Sequence, residues 1–185
     1  MPFVGEILRH RSVSIVGLSK NAGKTECLNY IIKRLPLEYF NVAVTSIGID
    51  GETTDQVTGT AKPEITVREG MFFATSEKHF RQKRPLSELY DVGDEDTALG
   101  RVVTAKALQE GKVLLSGPSG AEALKRWMRS LKDFGIDLIL VDGALSRLST
   151  ASPAVSEAMV LSTGAAVSAE IRGPGATDAL WGGGD

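Results

Sequence analysis

Residues 12–35 read SVSIVGLSKNAGKTECLNYIIKRL, and this stretch decides the fold. Ser12 to Gly17 is a short run rich in β-branched residues, the composition of a buried strand. Lys24 to Leu35 places Leu28, Ile31, Ile32 and Leu35 at helical spacing, which predicts one apolar face, and Pro36 stops the helix because its ring cannot continue the hydrogen-bond ladder. Between them lies a loop ending in Gly23-Lys24-Thr25. Strand, glycine-containing loop and helix, in that order, make a phosphate-binding loop. Main-chain N–H groups of the loop and of the first helical turn converge on an anion, and the helix dipole adds to their pull. Gly23 permits close backbone approach, Lys24 reaches the β and γ phosphates, and the Thr25 hydroxyl ligates Mg²⁺. The predicted nucleotide contacts are Ser19, Lys20, Asn21, Ala22, Gly23, Lys24, Thr25 and Glu26.

The usual pattern puts four residues between its two glycines, whereas residues 18–22 separate Gly17 from Gly23. Dethiobiotin synthetases share this longer spacing. Lys20 resembles, one position displaced, the extra lysine of dimerising ATPases such as ParA and the nitrogenase iron protein. That reading implies a homodimer in which Lys20 reaches a second nucleotide; the alternative is a solvated loop lysine. A carboxylate near the metal is also required. Asp142 follows the apolar run Ile136 to Val141 and precedes Gly143, the setting of an acid that holds Mg²⁺ through water, although an aspartate there also caps turns. Asp50, in the SIGIDGE segment after the second strand, is a candidate for catalysis through the attacking water or the metal, and equally a turn acid. The catalytic candidates are therefore Lys24 and Asp50, and the metal candidates Thr25 and Asp142. Neither Asn-Lys-x-Asp nor Thr-Lys-x-Asp occurs, so ATP is the expected nucleotide.

Outward from this stretch, strand-like and helix-like segments alternate. They predict an α/β fold with a mostly parallel sheet flanked by helices. Asn41 to Ile47, Val113 to Ser116, Ile136 to Val141 and Ala158 to Ser162 read as strands, and Ala121 to Phe134 as a helix. Pro63 to Thr75 reads as a β-hairpin insertion turning at Arg68-Glu69-Gly70. Ser76 to Asp96 reads as a polar connection, a basic run (Lys78, His79, Arg81, Lys83, Arg84) followed by an acidic one. Thr97 to about Glu110 reads as a helix closed by Gly111. The expected organisation is one nucleotide-binding domain over 1–168 and a Gly/Pro-rich flexible tail over 169–185. Ser116-Gly117-Pro118-Ser119-Gly120 follows a strand at the sheet's carboxyl edge, where open α/β sheets bind ligands, and is a second candidate loop.

Bulk composition narrows the function classes. At 42% hydrophobic and 24% charged the chain is an ordinary globular sequence, and a net charge of −2 supplies no global field for nucleic acid or anionic lipid. Cys27, the single cysteine, excludes an internal disulfide and a multi-cysteine metal site, and fits a packing role in the helix behind the loop. His10 and His79 have no partner at metal or triad spacing. No apolar run reaches membrane-spanning length and residues 1–10 lack a signal-peptide core, which predicts a cytoplasmic location.

GLSKNAGKT, TSIGIDGE, VTGTAKP, LGRVV, LSGPSG, LILVDGALSR and SPAVSEAMVLSTGAAVS, in that order, resemble one family over residues 1–168. It is the small, KamB-like subunit of the lysine 5,6-aminomutase reactivase, within the P-loop proteins related to dethiobiotin synthetase. The resemblance implies a partner, the larger MutS-related ATPase subunit, and a client, an adenosylcobalamin-dependent aminomutase whose damaged cobalamin the pair exchanges at the expense of ATP. Lys24, Thr25 and Asp142 would then carry nucleotide and Mg²⁺. Two other readings share the loop: a dethiobiotin synthetase-like ATP-dependent ligase, and a nucleotide-binding accessory protein like MobB.

Overall fold

The computed structural model describes residues 2–17, 22–47, 64–82, 85–94, 97, 99–144 and 155–163. A first helix, α1 (Pro2–Ile7), opens on proline, whose missing N–H costs nothing in the first turn, and buries Val4 and Ile7 one turn apart. Strand β1 (Ser12–Gly17) is buried along its whole length. Helix α2 (Lys24–Arg34) buries Leu28, Ile31 and Ile32 on one face, and Lys33 and Arg34 sit in its last turn, where the dipole favours cations. Leu35 leaves the helix extended at ψ 134°, as Pro36 requires of the residue before it. There follow β2 (Val42–Ser46), β3 (Ile65–Val67), β4 (Phe72–Ser76), a short helix α3 (Glu77–Gln82), β5 (Ser87–Val92), β6 (Val102–Ala107) and β7 (Gly111–Val113). Helix α4 (Ala121–Ser130) runs into a 3₁₀ turn (Leu131–Phe134) ended by left-handed Gly135, and β8 (Leu138–Ala144) and β9 (Ala158–Ser162) complete the elements.

Seven of these strands form one sheet in the order β5-β6-β4-β2-β8-β1-β9. β9, β1, β8, β2 and β4 are mutually parallel, whereas β6 runs antiparallel to both β4 and β5. The protein is thus α/β with a mostly parallel sheet flanked by helices. Alternate residues of the parallel strands feed two cores. Val13, Ile15, Val44, Phe73 and Leu140 pack on one face with α1, α2 and a two-stranded antiparallel sheet of β3 and β7. Ala43, Phe72, Ala74, Ile139 and Val141 pack on the other with Leu124, Trp127 and Leu131 of α4 and its 3₁₀ extension. Burial on both faces is why these strands read as near-continuous apolar runs.

Three expectations change. The two runs in 63–75 are both strands, but they do not pair with each other. β3 pairs with β7, and β4 with β2 and β6. The turn at Arg68–Met71 does form, with Gly70 at φ 86° and the Met71 N–H donating to the Arg68 carbonyl at 3.1 Å. It moves the chain from the small sheet into the large one instead of closing a hairpin. Phe72 and Phe73 are buried on opposite faces, which only a covered strand inside a large sheet allows.

The segment expected as a helix from Thr97 to Glu110 is instead strand β6. Gly100 at φ 84° breaks any helix there, and Val102-Val103-Thr104 is a β-branched run that fits a pleated surface. The polar connection 76–96 holds α3 and β5, so the large sheet gains an antiparallel edge that no sequence signal announced. The strand placed at Val113 to Ser116 ends at Val113. Beyond it the chain runs beside β4, where Thr75 Oγ1 donates to the Leu114 carbonyl at 2.6 Å. The tail proposed at 169–185 lies outside the described residues.

Candidate functional site

The carboxyl ends of the parallel strands meet at one edge of the sheet. In β1, Ile15 lies opposite Asp142 of β8 and Gly17 opposite Ala144, and in β2 Ser46 lies opposite the same Asp142. Asp142 is therefore set between the ends of β1 and β2. Gly23, at φ 74° and ψ 18°, is left-handed and immediately precedes α2, a conformation that costs glycine little and residues with a Cβ more. No side chain caps this end of the helix. From the first turn Lys24 extends so that its Nζ lies 2.9 Å from Asp142 Oδ1, with both side chains mostly withdrawn from water, 27% and 16% exposed. On the other side of β1, Ser162 ends β9 opposite Gly17, and its hydroxyl donates to the Ala22 carbonyl at 2.6 Å. That bond ties the loop's last described turn to a third strand end.

Of the predicted nucleotide contacts, Ala22, Gly23, Lys24, Thr25 and Glu26 are described. Ala22 is buried, Lys24 and Thr25 half-buried, and Gly23 and Glu26 exposed. Ser19, Lys20, Asn21 and Asp50 lie outside the described residues. The structure thus brings together Lys24 and Asp142, which are 118 residues apart, with Thr25 next to Lys24. A hydroxyl and a carboxylate are hard oxygen donors, the set that suits Mg²⁺. No group of three or more His, Cys, Asp or Glu side chains gathers among the described residues.

The second candidate loop closes against the first site. Gly117 donates its N–H to Ser46 Oγ at 3.2 Å, and a Cβ there would stand 1.7 Å from the Ser46 carbonyl oxygen, so only glycine lets the loop lie this close to the end of β2. Ser116 is fully buried and its hydroxyl meets His79 Nδ1 at 2.7 Å. No sequence spacing points to this partner for His79, because the two stand 37 residues apart. Below this loop a cavity of about 280 Å³ opens between α4 and the β5–β6 edge.

Scans of family models, curated proteins and solved structures found nothing that matches this chain. The functional reading therefore rests on the residues themselves. Among the described residues no helix is long and apolar enough to cross a membrane. Cys27 packs against the core beneath α2, and burial pushes its thiol pKa up, which favours the unreactive thiol over the thiolate. Sequence reasoning missed Ser162 and Ser46, the hydroxyls that hold the two loops. The only signal was their place at strand ends, visible once the strand order is known.

Proposed function

We propose that this chain is a P-loop protein that binds Mg²⁺–ATP at residues 17–25 and hydrolyses it as the nucleotide-handling component of a larger assembly. The observation that carries this reading is the 2.9 Å contact between Lys24 and Asp142 at the carboxyl edge of a parallel sheet, beside a left-handed glycine that opens α2. An ammonium and a carboxylate placed there are the two charges that a magnesium triphosphate needs, one for the phosphates and one for the metal. The ammonium rests on the carboxylate until phosphate oxygens offer it a better partner. Thr25, one residue on, presents the hydroxyl that would share the metal with Asp142. A hydrolysis step so arranged depends on positioning and charge neutralisation more than on covalent chemistry by the protein.

The client is proposed from the ordered motif resemblance: an adenosylcobalamin-dependent aminomutase, served together with a MutS-related ATPase subunit. Turnover that rises only when that subunit or an aminomutase is added supports the assignment. Turnover stimulated by bicarbonate with a diamine would replace it with the ligase reading, and tight GTP binding without turnover with the accessory-protein one.

Titration calorimetry with Mg²⁺ and ATP tests the core of the proposal. The intact protein should bind, and Lys24→Ala should weaken binding roughly 10- to 100-fold, the loss of one charge-assisted contact worth about 1.5–3 kcal/mol. Absence of heat with both ATP and GTP, together with an inert Lys24→Ala, would sink it.

A further inference from the structure

The antiparallel edge carries an irregularity with a chemical consequence. Leu89 of β5 pairs with Ala105 and Asp91 with Thr104, so Tyr90 is an extra residue, a β-bulge. In a regular strand Tyr90 and Asp91 would point to opposite faces. Here the Tyr90 ring lies edge-on to Phe72 at 4.8 Å and to Phe134 at 5.4 Å, on the α4 side of the sheet. Asp91, opposite Thr104, lines the cavity on that same side, and Thr104 accepts the indole N–H of Trp127 at 2.8 Å. The bulge therefore turns two consecutive side chains to one face, the tyrosine to seal the core and the aspartate to serve the cavity. Bulges that re-aim a side chain are concentrated beside ligand sites.

The cavity, at about 280 Å³, is of a size that takes a compact metabolite. Asp91 and Asp94, the mostly buried Trp127, Arg126 of α4 and Ser119 of the glycine-proline loop all line it. Among the described lining residues, two carboxylates that share the cavity with an aromatic ring favour an organic ammonium, which gains from both the charges and the ring. One guanidinium, whose five N–H donors allow several partners at once, favours an anionic group at the ligand's other end.

We propose that this cavity is a binding site for a small zwitterionic amine, its ammonium held by Asp91 and Asp94 against Trp127 and its carboxylate by Arg126. The site stands independently of the nucleotide proposal. Ser119 belongs to the loop whose Gly117 is locked onto Ser46, so the amine would lie one loop away from Lys24 and Asp142.

Trp127 supplies the readout. It is one of two tryptophans in the chain, and a Trp181→Phe background makes the emission report the cavity. Titrating that protein with γ-aminobutyrate and ε-aminocaproate should change the emission saturably. Asp91→Asn should weaken the response about tenfold or more, and Arg126→Gln should weaken it for the amino acids while leaving n-butylamine unaffected. Asp91 is exposed on an edge strand, and an unchanged thermal midpoint of the variant confirms an intact fold. No saturable change with either amino acid, or an Asp91→Asn protein that binds as the parent does, overturns the proposal. Calorimetry with Mg²⁺–ATP on the same sample separates the two readings, because nucleotide binding without amine binding discards the cavity site alone.

Discussion

The two halves of the large sheet are built on different physics. In the parallel half, β1, β2 and β8 are covered on both faces, and Ile15, Val44, Leu140 and Val141 are fully buried. At the antiparallel edge, β6 is still buried on both faces, but β5 beyond it leaves Leu89 50% and Tyr90 38% exposed and breaks its register at a bulge. The parallel half places Asp142 by strand register, between Ile15 of β1 and Ser46 of β2, and Lys24 reaches it from the first turn of α2. The edge holds its carboxylate by an irregularity. A buried parallel sheet fixes a rigid edge for chemistry, while an exposed antiparallel strand can be distorted to shape a pocket because little packing opposes it.

The largest expected contrast is in stability. Leu140→Ala empties a fully buried site in β8 and should cost about 2–5 kcal/mol, lowering Tm by roughly 5–20 °C for a chain of this size. Leu89→Ala, at a half-exposed position of β5, should stay within about 0.5 kcal/mol. Equal losses in thermal melts would erase the distinction between the two halves.

Next comes Gly117→Ala, at the point where the halves meet. The new methyl would press on the Ser46 carbonyl, a backbone atom that no rotamer change can move, and the expected cost is about 1–3 kcal/mol. If the loop instead swings away at no cost, Tm would hold, and the described closure of this loop on β2 would be wrong.

The same contrast decides what was legible in the sequence. β1 and β9 were placed to the residue and α2 to within one, because a short apolar run, covered on both faces in β1 and at the sheet edge in β9, and a helix with one apolar stripe each carry a local pattern. Lys24 and Asp142 were both visible, the first through its motif and the second through the apolar strand it ends. Their meeting was not, because it depends on β8 lying next to β1 and β2, a fact of strand order. The edge failed for the opposite reason. Thr97 and Gly111 look like the opening and closing residues of a helix, but what makes 102–107 a strand is pairing with β4 and β5, which the segment itself does not announce. Arg68-Glu69-Gly70 announced its turn correctly, but local turn chemistry does not say which sheet the next strand joins. Asp91 could not have been singled out, since a bulge is a mismatch between two strands and has no signature in one.

The smallest expected effect concerns what fastens the edge to the rest. Glu77, the first residue of α3, accepts the Arg101 guanidinium at 2.9 Å and the Arg101 backbone N–H at 3.0 Å, just ahead of β6. Those two bonds hold its carboxyl pKa below the usual glutamate range, the side-chain bond contributing most, with help from the nearby charges of Arg101 and Arg81 against some desolvation. A carboxyl with a lowered folded-state pKa stabilises the fold above its unfolded value of about 4.3 and ceases to do so as pH falls through the folded value. Wild type should therefore melt slightly above Glu77→Gln at neutral pH, and the gap should close on acidification below about pH 4. A gap that is constant with pH would mean that Glu77 acts by shape and not by charge. The site is open to solvent, so added salt should shrink the gap at neutral pH, whereas it should leave the Leu140→Ala deficit intact. That pair of responses distinguishes an edge pinned by charges from a parallel half held by packing.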